Sequence, residues 1–153
     1  MRILVINGPN INFLGIREKH IYGAEDYAYL LQLIKEKSNT CNVIIDTFQS
    51  NGEGEIIDRI QQAYKDGITG IIINPGAYTH YSYAIKDALA SVDMPKIEVH
   101  ISNVHKREDF RHVSLTASEC DGQIAGFGLQ GYMAAIDQVL YLVNKRNNQN
   151  KTK

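Results

Sequence analysis

Residues 69–100 read TGIIINPGAYTHYSYAIKDALASVDMPKIEVH, and the fold is decided by how this stretch is read. Apolar runs at 69–74 (TGIIIN) and 96–102 (KIEVHIS) bracket a segment in which Tyr81, Ile85, Ala88, Leu89 and Val92 recur at helical spacing. Runs rich in isoleucine and valine without clean alternation suit strands covered on both faces, and the stripe between them has the period of an α-helix. A strand, a helix and a second strand so spaced form a right-handed crossover between parallel strands.

The same unit repeats on either side. RILVI at 2–6 and NVIIDTF at 42–48 read as further buried strands. Tyr27, Leu30, Leu31 and Ile34 mark one helix, and Ile56, Ile60, Ala63 and Tyr64 a second. After residue 102 the pattern loosens, with a weak strand near Gly122–Ala125 and a last stripe through Tyr132, Ile136, Val139, Leu140 and Val143. Alternating strands and helices predict an α/β three-layer sandwich with a five-stranded parallel sheet. One domain is expected over 1–145, followed by a polar, disordered tail at 146–153, since NKRNNQNKTK carries no apolar stripe.

Bulk composition narrows the partners. With 16 basic and 17 acidic residues the net charge is -1, which gives no footprint for nucleic acid or an anionic membrane. Cys41 and Cys120 stand far apart without CxxC spacing, so neither a disulfide framework nor a structural zinc site is expected. No run is long enough to span a membrane, and no leader is recognised, so a cytoplasmic protein with a small-molecule partner is expected.

In open parallel sheets ligands bind beyond the carboxyl ends of the strands. That rule selects Asn7-Gly8-Pro9-Asn10 after the first strand, Asn74 to His80 after the third, and His100 to Asn103 after the fourth, leading to Arg107 and Arg111. The first of these opens a connection, NGPNINFLGIREKHIYG at 7–23, far longer than the usual two to six or so residues. A long loop holding Arg17 and Tyr22 among glycines reads as functional.

Other chemistries fit less well. GFGLQG at 126–131 matches GxGxxG, but the helix after it runs into the tail without a further strand, so glycine packing explains it better. His80, Glu98, His100 and His105 could be read as a zinc site, yet no HExxH-type pair supports them, and a histidine held by a carboxylate equally suits acid catalysis. Asp46 as a phosphoryl acceptor on a signalling or binding domain lacks the paired acidic residues that would hold Mg²⁺. No GxSxG elbow is present, and among the lysines Lys96 alone stays open for Schiff-base work. Acid–base chemistry remains, with Tyr22 and the histidines as candidates and arginines to hold an anion.

Three segments, NGPNINFLGIREKHIYG, NPGAYTHYSYAIKDAL at 74–89 and EVHISNVHKREDFRH at 98–112, with GFGLQGYMAAI near the end, closely resemble the type II 3-dehydroquinate dehydratases. The resemblance implies a flavodoxin-like fold and the conversion of 3-dehydroquinate to 3-dehydroshikimate in the shikimate pathway. It also implies no metal or other cofactor, and a homo-oligomer, a dodecamer built of trimers. It makes Tyr22 the base at C2 and Arg17 its electrostatic activator on a mobile lid. Asn10 would stabilise the enolate through a water, and His100, oriented by Glu98, would protonate the leaving C1 hydroxyl. Asn74, His80 and Arg111 would hold the ring hydroxyls, and the N–H groups of Ile101 and Ser102 the carboxylate. Arg107 would sit near the lid's closing contacts, and Asp87 would reach a neighbouring subunit's site. Lys19 and Ser118 stand where the family usually has proline; neither has a chemical role, and losing proline at 19 adds entropy to the open lid.

Overall fold

A computed structural model of the chain describes residues 1–16 and 25–151. Five strands, β1 (Arg2–Asn7), β2 (Ile44–Gln49), β3 (Gly70–Asn74), β4 (Lys96–His100) and β5 (Gly122–Ala125), pair in the order β2-β1-β3-β4-β5, each pair parallel. Four helices cover them: α1 (Tyr27–Cys41), α2 (Glu53–Lys65), α3 (Tyr83–Ala90) and α4 (Gln130–Lys151).

Alternation along the central strands divides the core in two. Ile3 and Val5 of β1 and Ile72 of β3 join Leu30 and Ile34 of α1 and Tyr132, Ile136 and Val139 of α4 on one face. Leu4 and Ile6 with Ile71 and Ile73 meet Ile56 and Ile60 of α2 and Ile85 and Leu89 of α3 on the other. Each fully buried aliphatic side chain contributes about 1.5–3 kcal/mol, so the two middle strands anchor both layers. Local signals set the helix starts. The Asp26 carboxylate accepts from Tyr29 N–H at 2.8 Å, and the Ser82 hydroxyl from Ile85 N–H at 2.9 Å.

Four expectations need correction. β2 is an edge strand rather than one covered on both faces, and Ile44 is 60% exposed. Tyr64 lies outside its stripe at 71% exposure, because it falls about 80° round the helix from Ile56. Tyr81 precedes the Ser82 cap and is likewise exposed, so α3 begins after it. The tail expected to be disordered continues α4 to Lys151. An exposed helix end needs no apolar stripe when its backbone ladder runs on, and Arg146 fastens this one to Asp93 O and to Asp121 Oδ1.

At the centre of the sheet the order reverses direction, and the turns after β1 and β3 interlock there. Gly8 N–H donates to Asn74 O at 2.7 Å, and a Cβ on Gly8 would lie 2.6 Å from Pro75 O. Gly76, at φ +58°, approaches Pro9 O from the opposite side, where a Cβ would come within 3.1 Å. The glycines of the two near-mirrored stretches, NGP and NPG, thus allow one backbone to rest on the other.

Candidate active site

Beyond these carboxyl ends lies a cleft of about 210 Å³, lined by Asn10, Asn74, His80, His100, Ile101, Ser102, Arg107 and Arg111 among others. Eight residues expected from the sequence therefore meet in one place. Asp87 does not line it; it is exposed on α3. Arg17 and Tyr22, with Lys19, lie outside the described residues. Ser118 is exposed, its Oγ 2.9 Å from Leu115 O.

His100, the last residue of β4, and Glu98, two residues before it, share a face of the strand, and His100 Nε2 lies 2.7 Å from Glu98 Oε1. A carboxylate only accepts, so Nε2 carries the proton and Nδ1 remains for other partners. Glu98 is fully buried. Its Oε1 also accepts from Thr79 Oγ1 at 2.9 Å, Ser114 Oγ at 3.0 Å and Gln123 Nε2 at 2.9 Å, and its Oε2 from Thr116 Oγ1 at 2.5 Å. Burial pushes this carboxyl up, but the His100 hydrogen bond and charge, with the Thr116 and Gln123 donors, outweigh it and hold the pKa at about 2.

That depression links the site to stability. Glu98 has an ordinary value of 4.5 when unfolded, so between there and about 2 the unfolded chain binds the extra proton. Its contribution, roughly 3 kcal/mol, is present above that window and is lost as the pH falls through it. Urea unfolding across the window should show a shallower acid loss in Glu98→Gln than in the parent. Equal slopes would mean the carboxylate is not held ionised by its cage.

His80 Nδ1 lies 2.8 Å from Val113 O, so it must donate, and Nε2 is left as an acceptor. Burial, opposed by that carbonyl, together with the charges of His100 and Arg111, holds its pKa below the ordinary histidine value. At neutral pH His80 is therefore a neutral ring. Its edge packs on Phe110, with ring centroids 5.6 Å apart, and Arg111 stacks on the same ring at 4.7 Å. Arg111 Nε is 2.7 Å from Glu108 Oε2, and Arg107 Nη1 donates to Ser102 Oγ at 3.3 Å. Among the described residues, Arg107 and Arg111 stand at the cleft rim with the Glu108 carboxylate, and guanidinium groups suit recognition of an anionic ligand.

Asn10 adopts the left-handed conformation at φ 67°, and its N–H donates to Asn51 Oδ1 at 2.9 Å. This fixes the turn that brings residue 10 to the cleft. The rival chemistries have other occupations. Lys96 Nζ donates to Val92 O at 2.5 Å and lies 3.4 Å from Met94 O, at the opposite end of β4 from His100. Asp46 pairs with Arg2 Nε at 2.6 Å. The GFGLQG turn gives Gly126 and Gly128 N–H to the carbonyls of His100 and Ile101, and Gly131 backs onto Val99. Burial pushes the Cys120 thiol up to about 12, which leaves it inert.

Sequence reasoning missed the cage around Glu98. Gln123 could have been found, because parallel register sets it directly beside Glu98. Thr79 comes from a short 3-10 turn and Ser114 and Thr116 from a loop, and no periodicity gives the path of either.

Comparison with known proteins adds a second line of observation. The family model described as dehydroquinase class II matches residues 1–140. A protein named 3-dehydroquinate dehydratase from Lachnoclostridium phytofermentans is 73% identical over 140 residues, 92% of this chain and 97% of that one. A namesake from Lachnospira eligens is 58% identical over 95% of this chain and 100% of its own. Among solved structures, the type II dehydroquinase of Butyrivibrio crossotus superposes with a TM-score of 0.90 at 64% identity, covering 91% of this chain and 97% of that one.

Proposed function

The chain belongs to the class II dehydroquinase family, and from that premise we propose how its own residues carry the reaction. It is a hydro-lyase that removes water from 3-dehydroquinate to give 3-dehydroshikimate in the shikimate pathway. The elimination breaks a C–H bond at C2 and the C–O bond at C1, and forms the C1–C2 double bond conjugated with the C3 ketone. It is an anti elimination through an enolate, and it needs a base at C2, charge stabilisation at the ketone oxygen and an acid at the C1 hydroxyl.

Tyr22 takes the C2 proton, assisted by the Arg17 cation. Asn10 stabilises the enolate oxygen. His100, with Nε2 held by Glu98, delivers a proton from Nδ1 to the C1 oxygen, which departs as water. Neutral His80 accepts from a ring hydroxyl through Nε2, while Asn74 and Arg111 hold its neighbours. The N–H groups of Ile101 and Ser102, backed by Arg107, take the carboxylate. The observation that carries this reading is the His100–Glu98 pair, an ionised carboxylate buried behind a ring that lines a cleft shared with Arg107 and Arg111. Lys96, occupied by carbonyls away from the cleft, favours the enolate route over an imine.

Purified protein mixed with 3-dehydroquinate should raise the absorbance of the conjugated product. Absence of turnover would remove the reading. Loss of activity with EDTA and recovery with zinc would restore the metal alternative. Inactivation by borohydride only when substrate is present would establish a lysine imine.

The enzyme is cytoplasmic and works as a homo-oligomer, a dodecamer of trimers, in which Asp87 completes a neighbour's site. Supporting this, Asp87 is exposed on α3, whose first turn and approach also expose Tyr83 and Tyr81. Light scattering at assay dilution should find at least a trimer. Full activity from a monomer would refute the shared site.

A further inference from the structure

Tyr132 is the largest fully buried side chain of the molecule's described part, yet its hydroxyl sits among polar groups. It rises from α4 to meet the last residues of β1 and β3, which are register neighbours. Its oxygen lies 2.6 Å from Asn7 Oδ1 and 2.9 Å from Asn74 Nδ2.

Proton counting gives every bond a direction. Gly76 N–H donates to Asn74 Oδ1 at 3.2 Å, so the oxygen of that carboxamide faces Gly76 and its nitrogen faces Tyr132. The phenol must therefore accept from Asn74, and its single proton goes to Asn7 Oδ1. Turning Asn7 round would set a second donor against the phenol and leave the phenol proton without an acceptor. The observed orientation instead buries Asn7 Nδ2 without a full hydrogen bond among the described residues, the Tyr27 phenol being the group on which the Asn7 side chain acts there. Burial raises the Tyr132 phenol well above its ordinary pKa, which keeps its proton in place.

We infer that Tyr132 is a positioning residue for the dehydration, locking the Asn74 carboxamide so that it offers the cleft a second N–H, a donor and not an acceptor. The inference rests on the reading of Asn74 as a residue that holds substrate. Tyr132 itself does not line the cleft. The donor of Asn74 and the acceptor of neutral His80 together match hydroxyl groups, which both accept and donate. A freely turning carboxamide would offer its oxygen for part of the time and bind such groups less tightly.

The test is a double-mutant cycle on KM with Tyr132→Phe, Asn74→Ala and the pair. Tyr132→Phe should raise KM roughly three- to tenfold, the worth of one hydrogen bond, with kcat within about twofold. In the Asn74→Ala background the same substitution should change KM no further, because the group it orients is gone. An effect of equal size in both backgrounds would overturn the inference, since a merely structural role survives the loss of Asn74. So would an unchanged KM in Tyr132→Phe alone. If Asn74→Ala itself leaves KM unaltered, the reading of Asn74 fails and takes the inference with it. Should circular dichroism show Tyr132→Phe unfolded, the same cycle is run with Asn7→Ala, which removes the acceptor that holds the phenol proton away from Asn74, and the same outcomes decide.

Discussion

Tyr22→Phe is expected to lower kcat by about 10³- to 10⁴-fold while leaving the fold and substrate binding close to the parent's. The change deletes one oxygen, the one proposed to take the C2 proton. A free phenol has a pKa of about 10, so at neutral pH only about one molecule in a thousand carries a competent base. A guanidinium within about 4–6 Å favours the phenolate and lowers the pKa by about one to three units, and an arginine keeps its own proton throughout. Arg17, five positions before Tyr22, is the candidate cation. The base must be deprotonated to work, so kcat/KM rises with pH through its pKa. Arg17→Gln removes the cation, raises that pKa and should move the acidic limb of the profile to higher pH. Near-normal kcat in Tyr22→Phe would sink the assignment of the base. A limb that stays in place in Arg17→Gln would transfer activation to another cation, Arg111 being next.

His100→Ala should lower kcat by about 10²- to 10⁴-fold with a modest change in KM, because the ring is proposed to act on the leaving hydroxyl rather than on ground-state binding. His80→Ala should do the reverse and raise KM more than it lowers kcat. The difference follows from what holds each ring. His100 is bonded through Nε2 to a buried carboxylate, which fixes the ring and leaves Nδ1 for the leaving hydroxyl in the proposed reaction, while His80 is bonded to a carbonyl and kept neutral. A His100→Ala enzyme with nearly normal kcat would show that the acid had been misassigned.

The layers of the fold were legible because isoleucine-rich runs and helical stripes are strong, local signals. Residues 69–100 alone specify a parallel crossover, and its strands and helix appear where expected to within two residues. Edges were not legible: NVIIDTF is as apolar as the central strands, and only the sheet order makes β2 an outer strand. Nor was the end of α4, since a solvent-facing helix of asparagine, lysine and glutamine looks in sequence like a polar tail. The cleft was legible because the carboxyl-end rule turns strand ends into a list of neighbours, which brought Asn10, Asn74, His80 and His100 together. Partners that act through another side chain escaped it. Asn7 reads as the start of a turn and Tyr132 as one more member of an apolar stripe, and their meeting depends on how α4 crosses the sheet.

The interlocked turns after β1 and β3 bear on how this sequence can change. A crowded core position is usually rescued by a second substitution, a neighbour trimmed to make room. At Gly8 that route is closed, because what an added Cβ would strike is main-chain atoms of Asn74 and Pro75, which no change of side chain can shrink. At Gly76 the nearest obstacle is again a main-chain atom, Pro9 O, and the left-handed backbone adds its own objection. Each glycine's freedom to vary is set by the other's backbone, so neither can lead and neither can follow. The pair forms a locked coordinate in the sequence space of this protein, and Asn10 and Asn74, which those turns carry into the cleft, inherit its immobility.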